Sequence, residues 1–249
     1  MKNKLLILYV CALTLISCSL KNESTYINSG RNYLHKGYYD LAIKDFTSAI
    51  GINSRNFDAY YYRTITYKKK LLNDLAIADM TSAIMINPKN VNAYYCRGFD
   101  YQEQHKFELS IKDFTSAIKL NPKAVDVYNC RFFSYSMVKN YDLAVNDINS
   151  IIRLDSTYPM VYHNRASLYM KLGKNELALN DMNTALKIDP TESASWTNRG
   201  LVYKNLGEKK FAIEDFRKGA ELGDEDGRIN LKKYYNIDYP HSAIECPHH

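Results

Sequence analysis

Lys44-Asp45-Phe46-Thr47-Ser48-Ala49-Ile50 recurs residue for residue as Lys112-Asp113-Phe114-Thr115-Ser116-Ala117-Ile118, and Ala78-Asp79-Met80-Thr81-Ser82-Ala83-Ile84 lies between them. The identical copies are 68 residues apart, twice 34. Counting in steps of 34 from Glu23 gives six repeats with no insertion: 23–56, 57–90, 91–124, 125–158, 159–192 and 193–226. A fixed period of this length belongs to a chain built by stacking one small unit against the next.

The chemistry keeps the same frame. The fourth place holds Tyr26, Tyr60, Tyr94, Tyr128, Tyr162 and Trp196, and the eleventh holds Tyr33, Tyr67, Tyr101, Tyr135, Tyr169 and Tyr203. These places are two helical turns apart on one face. The twentieth place is small (Ala42, Ala76, Ser110, Ala144, Ala178, Ala212), and the twenty-fourth is large (Phe46, Met80, Phe114, Ile148, Met182, Phe216). The twenty-seventh is small again except at Ile151. Spacings of four and three predict a second helix, whose small residues let the first approach. Gly37, Gly173 and Gly207 mark the turn between the helices. Asp40, Asp74, Glu108, Asp142 and Glu176 open the second helix, at the positive end of its dipole. Asn87-Pro88, Asn121-Pro122 and Asp189-Pro190 end it.

This pattern resembles the tetratricopeptide repeat (TPR): an aromatic, a glycine and a tyrosine on the first helix, alanine and phenylalanine on the second, then proline. The third repeat supplies Tyr94, Gly98, Tyr101, Ser110, Phe114 and Pro122; the sixth supplies Trp196, Gly200, Tyr203, Ala212 and Phe216. The resemblance implies an all-α fold, a right-handed α-solenoid of six TPR hairpins. One further helix over 227–238 is expected as its cap, because the last repeat has an apolar face to cover. A tail over 239–249 follows.

The chain departs from the family pattern at the seventh place. Repeats two to six carry Arg63, Arg97, Arg131, Arg165 and Arg199 there, where many TPRs have leucine, and the first carries Ser29. The twenty-third place is aspartate in all six: Asp45, Asp79, Asp113, Asp147, Asp181 and Asp215. Each arginine is expected to pair with the aspartate of the preceding repeat, as Asp45–Arg63, Asp79–Arg97, Asp113–Arg131, Asp147–Arg165 and Asp181–Arg199. The first repeat then needs no arginine, and the pairs fix how repeats stack.

The N-terminus reads as an address. Lys2 and Lys4 precede an apolar run from Leu5 to Ile16, too short for a spanning helix of about 20 residues. Leu15-Ile16-Ser17-Cys18 resembles the lipobox of bacterial lipoproteins. That resemblance implies a signal peptide over 1–17, an acylated Cys18 and a linker over 18–22. Several acyl chains on one residue anchor stably. Ser19 stands where inner-membrane retention usually uses aspartate, so the outer membrane is expected, facing the periplasm or the cell surface.

Composition adds little chemistry. A net charge of +6 is spread along the chain, and Lys68-Lys69-Lys70 is read as a solvated helix end. No basic stripe suggests nucleic acid. The TPR resemblance implies a concave face built from the first helices. Tyr61, Ile65, Tyr95, Phe99, Asn129, Phe133 and His163 fall on its places. An aromatic groove with a few polar groups suits a peptide or a partner helix. The lysine and asparagine set that clamps C-terminal carboxylates in some TPRs is missing. Cys96 and Cys130 read as small buried residues. His241, Cys246, His248 and His249 lack a clear metal-ligand spacing. No catalytic constellation stands out, and no cofactor or metal is implied. The expectation is a membrane-anchored adaptor that binds proteins in the cell envelope; the alternative is a surface-exposed adhesin or glycan-binding lipoprotein.

Overall fold

The computed structural model describes residues 22–240 apart from Pro159. Cys18 with its lipobox, and the His241, Cys246, His248 and His249 tail, lie outside these residues.

The chain divides between Pro122 and Lys123 into two compact halves. The first contains α1 (Glu23–His35), α2 (Tyr39–Ile52), α3 (Phe57–Lys69), α4 (Asn73–Ile86), α5 (Val91–Glu103) and α6 (Phe107–Leu120). The second contains α7 (Val125–Met137), α8 (Tyr141–Leu154), α9 (Val161–Lys171), α10 (Asn175–Ile188), α11 (Ser193–Leu206), α12 (Lys209–Glu221) and α13 (Glu225–Tyr235). Among the described residues there is no strand. Each repeat folds as a hairpin, and within each half every hairpin packs on the next. The first helix occupies places one to thirteen and the second seventeen to thirty, with three exceptions. Helix α9 starts two places late, behind Met160 at φ 59; α11 runs one residue longer, and α12 stops one residue short.

The start signals lie between repeats. Asn22, Asn56 and Asn90 cap α1, α3 and α5 by accepting from the backbone N–H three residues on, at 2.9, 2.8 and 2.9 Å. Asn53, Asn87, Asp155 and Asp189 tighten the turns between repeats by accepting from the N–H two residues ahead.

The stop signal of the first helix is a backbone shape. The fifteenth place is left-handed in every repeat: Gly37, Leu71, His105, Lys139, Gly173 and Gly207, with φ between 57 and 82. Three repeats supply the glycine that this conformation favours, and three hold an ordinary side chain there.

Packing within a hairpin follows the eighth and twenty-fourth places. Phe46, Phe114 and Phe216 are fully buried, and each faces a glycine: Gly30, Gly98 and Gly200. A Cβ on Gly98 would lie 2.8 Å from the Phe114 ring. Where the large residue is Met80, Ile148 or Met182, the eighth place is Thr64, Phe132 or Ala166. The glycines therefore make room for phenylalanine.

In the second half α13 lies against α12 and inserts the fully buried Leu231 beside Ala212 and Phe216. Gly227 permits that approach, since a Cβ there would meet the Phe216 carbonyl oxygen at 2.7 Å.

The expected register of the ion pairs is wrong. Each arginine holds the aspartate of its own repeat: Arg63–Asp79, Arg97–Asp113, Arg131–Asp147, Arg165–Asp181 and Arg199–Asp215. These replace the expected pairs Asp45–Arg63, Asp79–Arg97, Asp113–Arg131, Asp147–Arg165 and Asp181–Arg199, because each of the five arginines turns its fork to the aspartate of its own repeat. The reason is geometric. The two helices of a hairpin are antiparallel, which brings the seventh and twenty-third places face to face. There the guanidinium fork binds both carboxylate oxygens; in Arg97–Asp113 both bonds are 2.7 Å. The third nitrogen makes the link between repeats. Nη1 of Arg63, Arg97, Arg165 and Arg199 donates to Thr47, Thr81, Asn149 and Asn183, the twenty-fifth place of the preceding repeat, at 2.8, 3.0, 2.8 and 2.9 Å. The contact with the preceding repeat is thus made to a hydroxyl or an amide, not to an aspartate.

Candidate functional site

The first half offers a groove between the first helices of the second and third repeats. Its cavity of about 370 Å³ is lined by Tyr61, Ile65, Lys68 and Lys69 of α3, by Cys96 of α5 and by the buried Thr64 and Met80. Phe99, one turn beyond Cys96, is 37 % exposed, and Lys68 Nζ sits 5.2 Å from the centre of its ring. Tyr61 stacks on Phe57 at 5.8 Å and meets Tyr62 edge-on, so one ring face is fixed by its neighbours. Tyr95 belongs elsewhere: its ring packs 6.2 Å from the buried Phe114 and supports the hairpin.

An ion pair lies at the edge of this groove. Lys68 contacts Asp100, whose side chain is buried, and has Glu103 at 3.8 Å. Burial pushes the Asp100 carboxyl above its usual range, against the opposing pull of Lys68. Burial alone would lower Lys68, but its contact with Asp100 raises it above the usual lysine value. The Cys96 thiol is pushed up, first by burial and then by the Asp100 charge. A raised thiol is a poor nucleophile, so Cys96 acts as an apolar wall. Cys130 of the second half is likewise half-buried.

The reading of Lys68-Lys69-Lys70 as a solvated run fails for Lys68 alone, because Lys70 and the Asp40 it meets are both exposed. Lys68 pairs with Asp100 and Lys70 with Asp40; Lys69 remains exposed. Asp100 itself was legible. It occupies the tenth place, where the other repeats have Asn32, Thr66, Ser134, Leu168 and Val202, so a charge there needs a partner.

In the second half, Phe133 is 46 % exposed and Asn129 half-buried, both on α7. His163 lines a cavity of about 380 Å³ between α9, α10 and α11. Its Nδ1 is 2.8 Å from Ser195 Oγ and 3.7 Å from Glu192 Oε2, and its Nε2 is 3.1 Å from Asn198 Nδ2. Burial holds the imidazole below its usual value, against the pull of Glu192.

A serine, a histidine and a glutamate within reach invite comparison with a catalytic triad, and the geometry does not support it. In this amide orientation Asn198 donates to Nε2, which leaves the hydrogen of the neutral ring on Nδ1, pointing at Ser195. A base needs its lone pair there. Glu192 faces the same ring nitrogen as Ser195 and also caps α11 by accepting from the Ser195 N–H. Ser195 is 1 % exposed and cannot meet a substrate. The cluster ties the fifth hairpin to the sixth. Among the described residues no three His, Cys, Asp or Glu side chains gather as a metal site, and no helix is long and apolar enough to cross a membrane.

Family models match three segments of the chain: "TPR repeat" over residues 166–207, and "Tetratricopeptide repeat" over 23–56 and 193–222. No curated protein matches the chain by sequence. Solved structures do match its fold. YrrB, described as a TPR protein with an unusual peptide-binding site, is 18 % identical over 76 % of this chain and 97 % of its own, with a TM-score of 0.66. MamA is 19 % identical over 74 % of this chain and 98 % of its own, at 0.63. A tetratricopeptide repeat protein from Parabacteroides merdae is 24 % identical over 86 % of this chain and 83 % of its own, at 0.54. At these identities the likeness is one of fold. The matched segments carry TPR repeats, and hairpins of the same build fill the described residues between them.

Proposed function

We propose that this chain is a membrane-anchored scaffold of the bacterial envelope, and that its groove at Tyr61, Ile65, Cys96 and Phe99 binds an extended segment of a partner protein. The observation that carries the reading is the groove itself. It is apolar, walled by the fixed Tyr61 with the half-exposed Phe99 beside it, and bordered by the exposed Lys69, which pairs with no acid among the described residues. A peptide with apolar side chains and an acidic residue suits such a surface. TPR modules generally hold other proteins rather than catalyse, and YrrB, of the same fold, has a peptide-binding site. Anchoring rests on Leu15-Ile16-Ser17-Cys18, and the expected membrane is the outer one.

The test is a crosslinked co-purification from the native envelope, comparing wild type with a Tyr61→Ala/Phe99→Ala variant. Tyr95 is left intact because it supports Phe114. Thermal unfolding first establishes that the variant folds. A protein captured by the wild type and lost by the variant supports the groove. Equal recovery by both removes the groove from the proposal. A parallel Cys18→Ser chain tests the anchor: it should lose acyl labelling and leave the membrane fraction, and retention there refutes the lipobox reading.

A further inference from the structure

The cavity beside His163 plays no part in the groove reading. It measures about 380 Å³ and lies against the late start of α9, where Tyr158 and Met160 precede Val161. Its walls are mainly carbon: Tyr158, Met160 and Val161 on one side, and Ile188 at the end of α10 on the other. Val161 is buried, while Met160 and Ile188 are 43 % and 62 % exposed, so the walls run from the core out to solvent. A space at the small end of ligand-site volumes suits a small molecule or a single side chain rather than a length of backbone.

The charge of the lining is one-sided. Asp189, exposed at the end of α10, and the half-buried Glu192, which caps α11, both line the cavity. Among the described residues no lysine or arginine lines it. Asp189 is held ionised, because Thr191 donates to it from its N–H at 2.9 Å and its hydroxyl at 2.6 Å and keeps the carboxyl below its usual range. His163 does not offset the acids, since burial holds its imidazole below the usual value and leaves the ring neutral near pH 7. Negative charge beside an apolar space favours a positive group carried in on an apolar body, which displaces water where the attraction acts. A metal ion is a poor match. Among the described residues no three His, Cys, Asp or Glu side chains gather to hold one, and the carbon walls offer it no ligand.

We infer that this cavity binds an organic cation, an apolar body ending in one ammonium or guanidinium group. The body lies against Tyr158, Met160, Val161 and Ile188, and the charge is directed toward Asp189 and Glu192. A free amine and a basic side chain of a partner protein share this chemistry. The inference concerns the second half alone and stands without the Tyr61–Phe99 groove.

The test uses the full chain and its own reporter. Trp196, the only tryptophan, donates its indole N–H to the Pro190 carbonyl at 2.9 Å, in the turn that carries Asp189 and Glu192. Its fluorescence is titrated with phenethylamine, with acetyl-Phe-Lys-Phe-amide, and with phenylacetate and phenylethanol, which carry the same ring with a negative charge and with none. At least one cation should shift the emission saturably, and the two controls should not. Glu192→Gln keeps an oxygen to cap α11 and should weaken the cation about tenfold, the loss of one charge-assisted contact. Asp189→Asn keeps the acceptor for Thr191 and should act in the same direction but less, because that carboxylate is exposed. Should Glu192→Gln fail to fold, Asp189→Asn and the two controls decide. A response to the free amine alone assigns a small metabolite, and a response to the peptide assigns a partner's side chain. No saturable response to either cation, an equal response to phenylacetate or phenylethanol, or cation binding unchanged in both folded variants overturns the inference.

Discussion

His163 shows how one buried side chain couples a hairpin contact to pH. Its cavity faces carry two acids, Glu192 at 3.7 Å from the ring and Asp189 further along the lining, yet burial outweighs them and lowers its pKa. The sign follows from linkage. The folded protein takes up the proton less readily than the unfolded chain, whose histidine titrates near 6.5. Stability is therefore fully present above that value and is lost as the pH falls toward the lower folded pKa. Chemical denaturation between pH 7.5 and 5 should show this loss for wild type and a flatter profile for His163→Gln. Equal slopes would mean that the ring is not the titrating group. The sequence placed His163 on a partner-binding surface because its repeat place is concave. Ser195 and Asn198, which hold its two ring nitrogens, lie one repeat later, and a reading made place by place does not see across that gap.

Helix ends carry the next level. The six left-handed residues at the fifteenth place all end the first helix, yet only Gly37, Gly173 and Gly207 were visible as stop signals. Leu71, His105 and Lys139 do the same work against their preference, because the hairpin's packing dictates the turn. For a residue with a Cβ this conformation costs roughly 1–2 kcal/mol. Leu71 is 82 % exposed, so its side chain gives almost no packing in return. Leu71→Gly should therefore stabilise the chain by about 1 kcal/mol, offset partly by the added freedom of the unfolded glycine. A lowered denaturation midpoint would show that Leu71 makes a contact worth more than its strain. Most of the element plan was legible, since the period, the aromatic places and the small-to-large alternation are all side-chain identities. What stayed hidden is backbone shape, which three of the six repeats do not encode in a glycine.

Between repeats the arginines join local packing to the whole array. The sequence displayed the conserved spacing of arginine and aspartate but not which repeat each belonged to, because both registers satisfy the same charge count. The deciding signal sat two places further on. The twenty-fifth place is Thr47, Thr81, Thr115, Asn149 or Asn183 in the five repeats followed by an arginine-bearing repeat, and Arg217 in the sixth, which is not. A stack of this kind is stabilised by each hairpin's own packing plus a term for every junction. The two terms separate chemically here. Asp113 belongs to the hairpin of Arg97, and Thr81 to the junction before it. Thr81→Val keeps the shape and removes the acceptor for Nη1, which should cost about 1–2 kcal/mol, while Thr81→Ser should stay close to wild type. If the bond couples neighbouring hairpins, Thr81→Val and Arg97→Leu should be non-additive, since either change breaks the same contact. Additive losses would place the coupling in the apolar packing at Met80, Ala83 and Ala93 and leave the arginine as a clamp within its own hairpin.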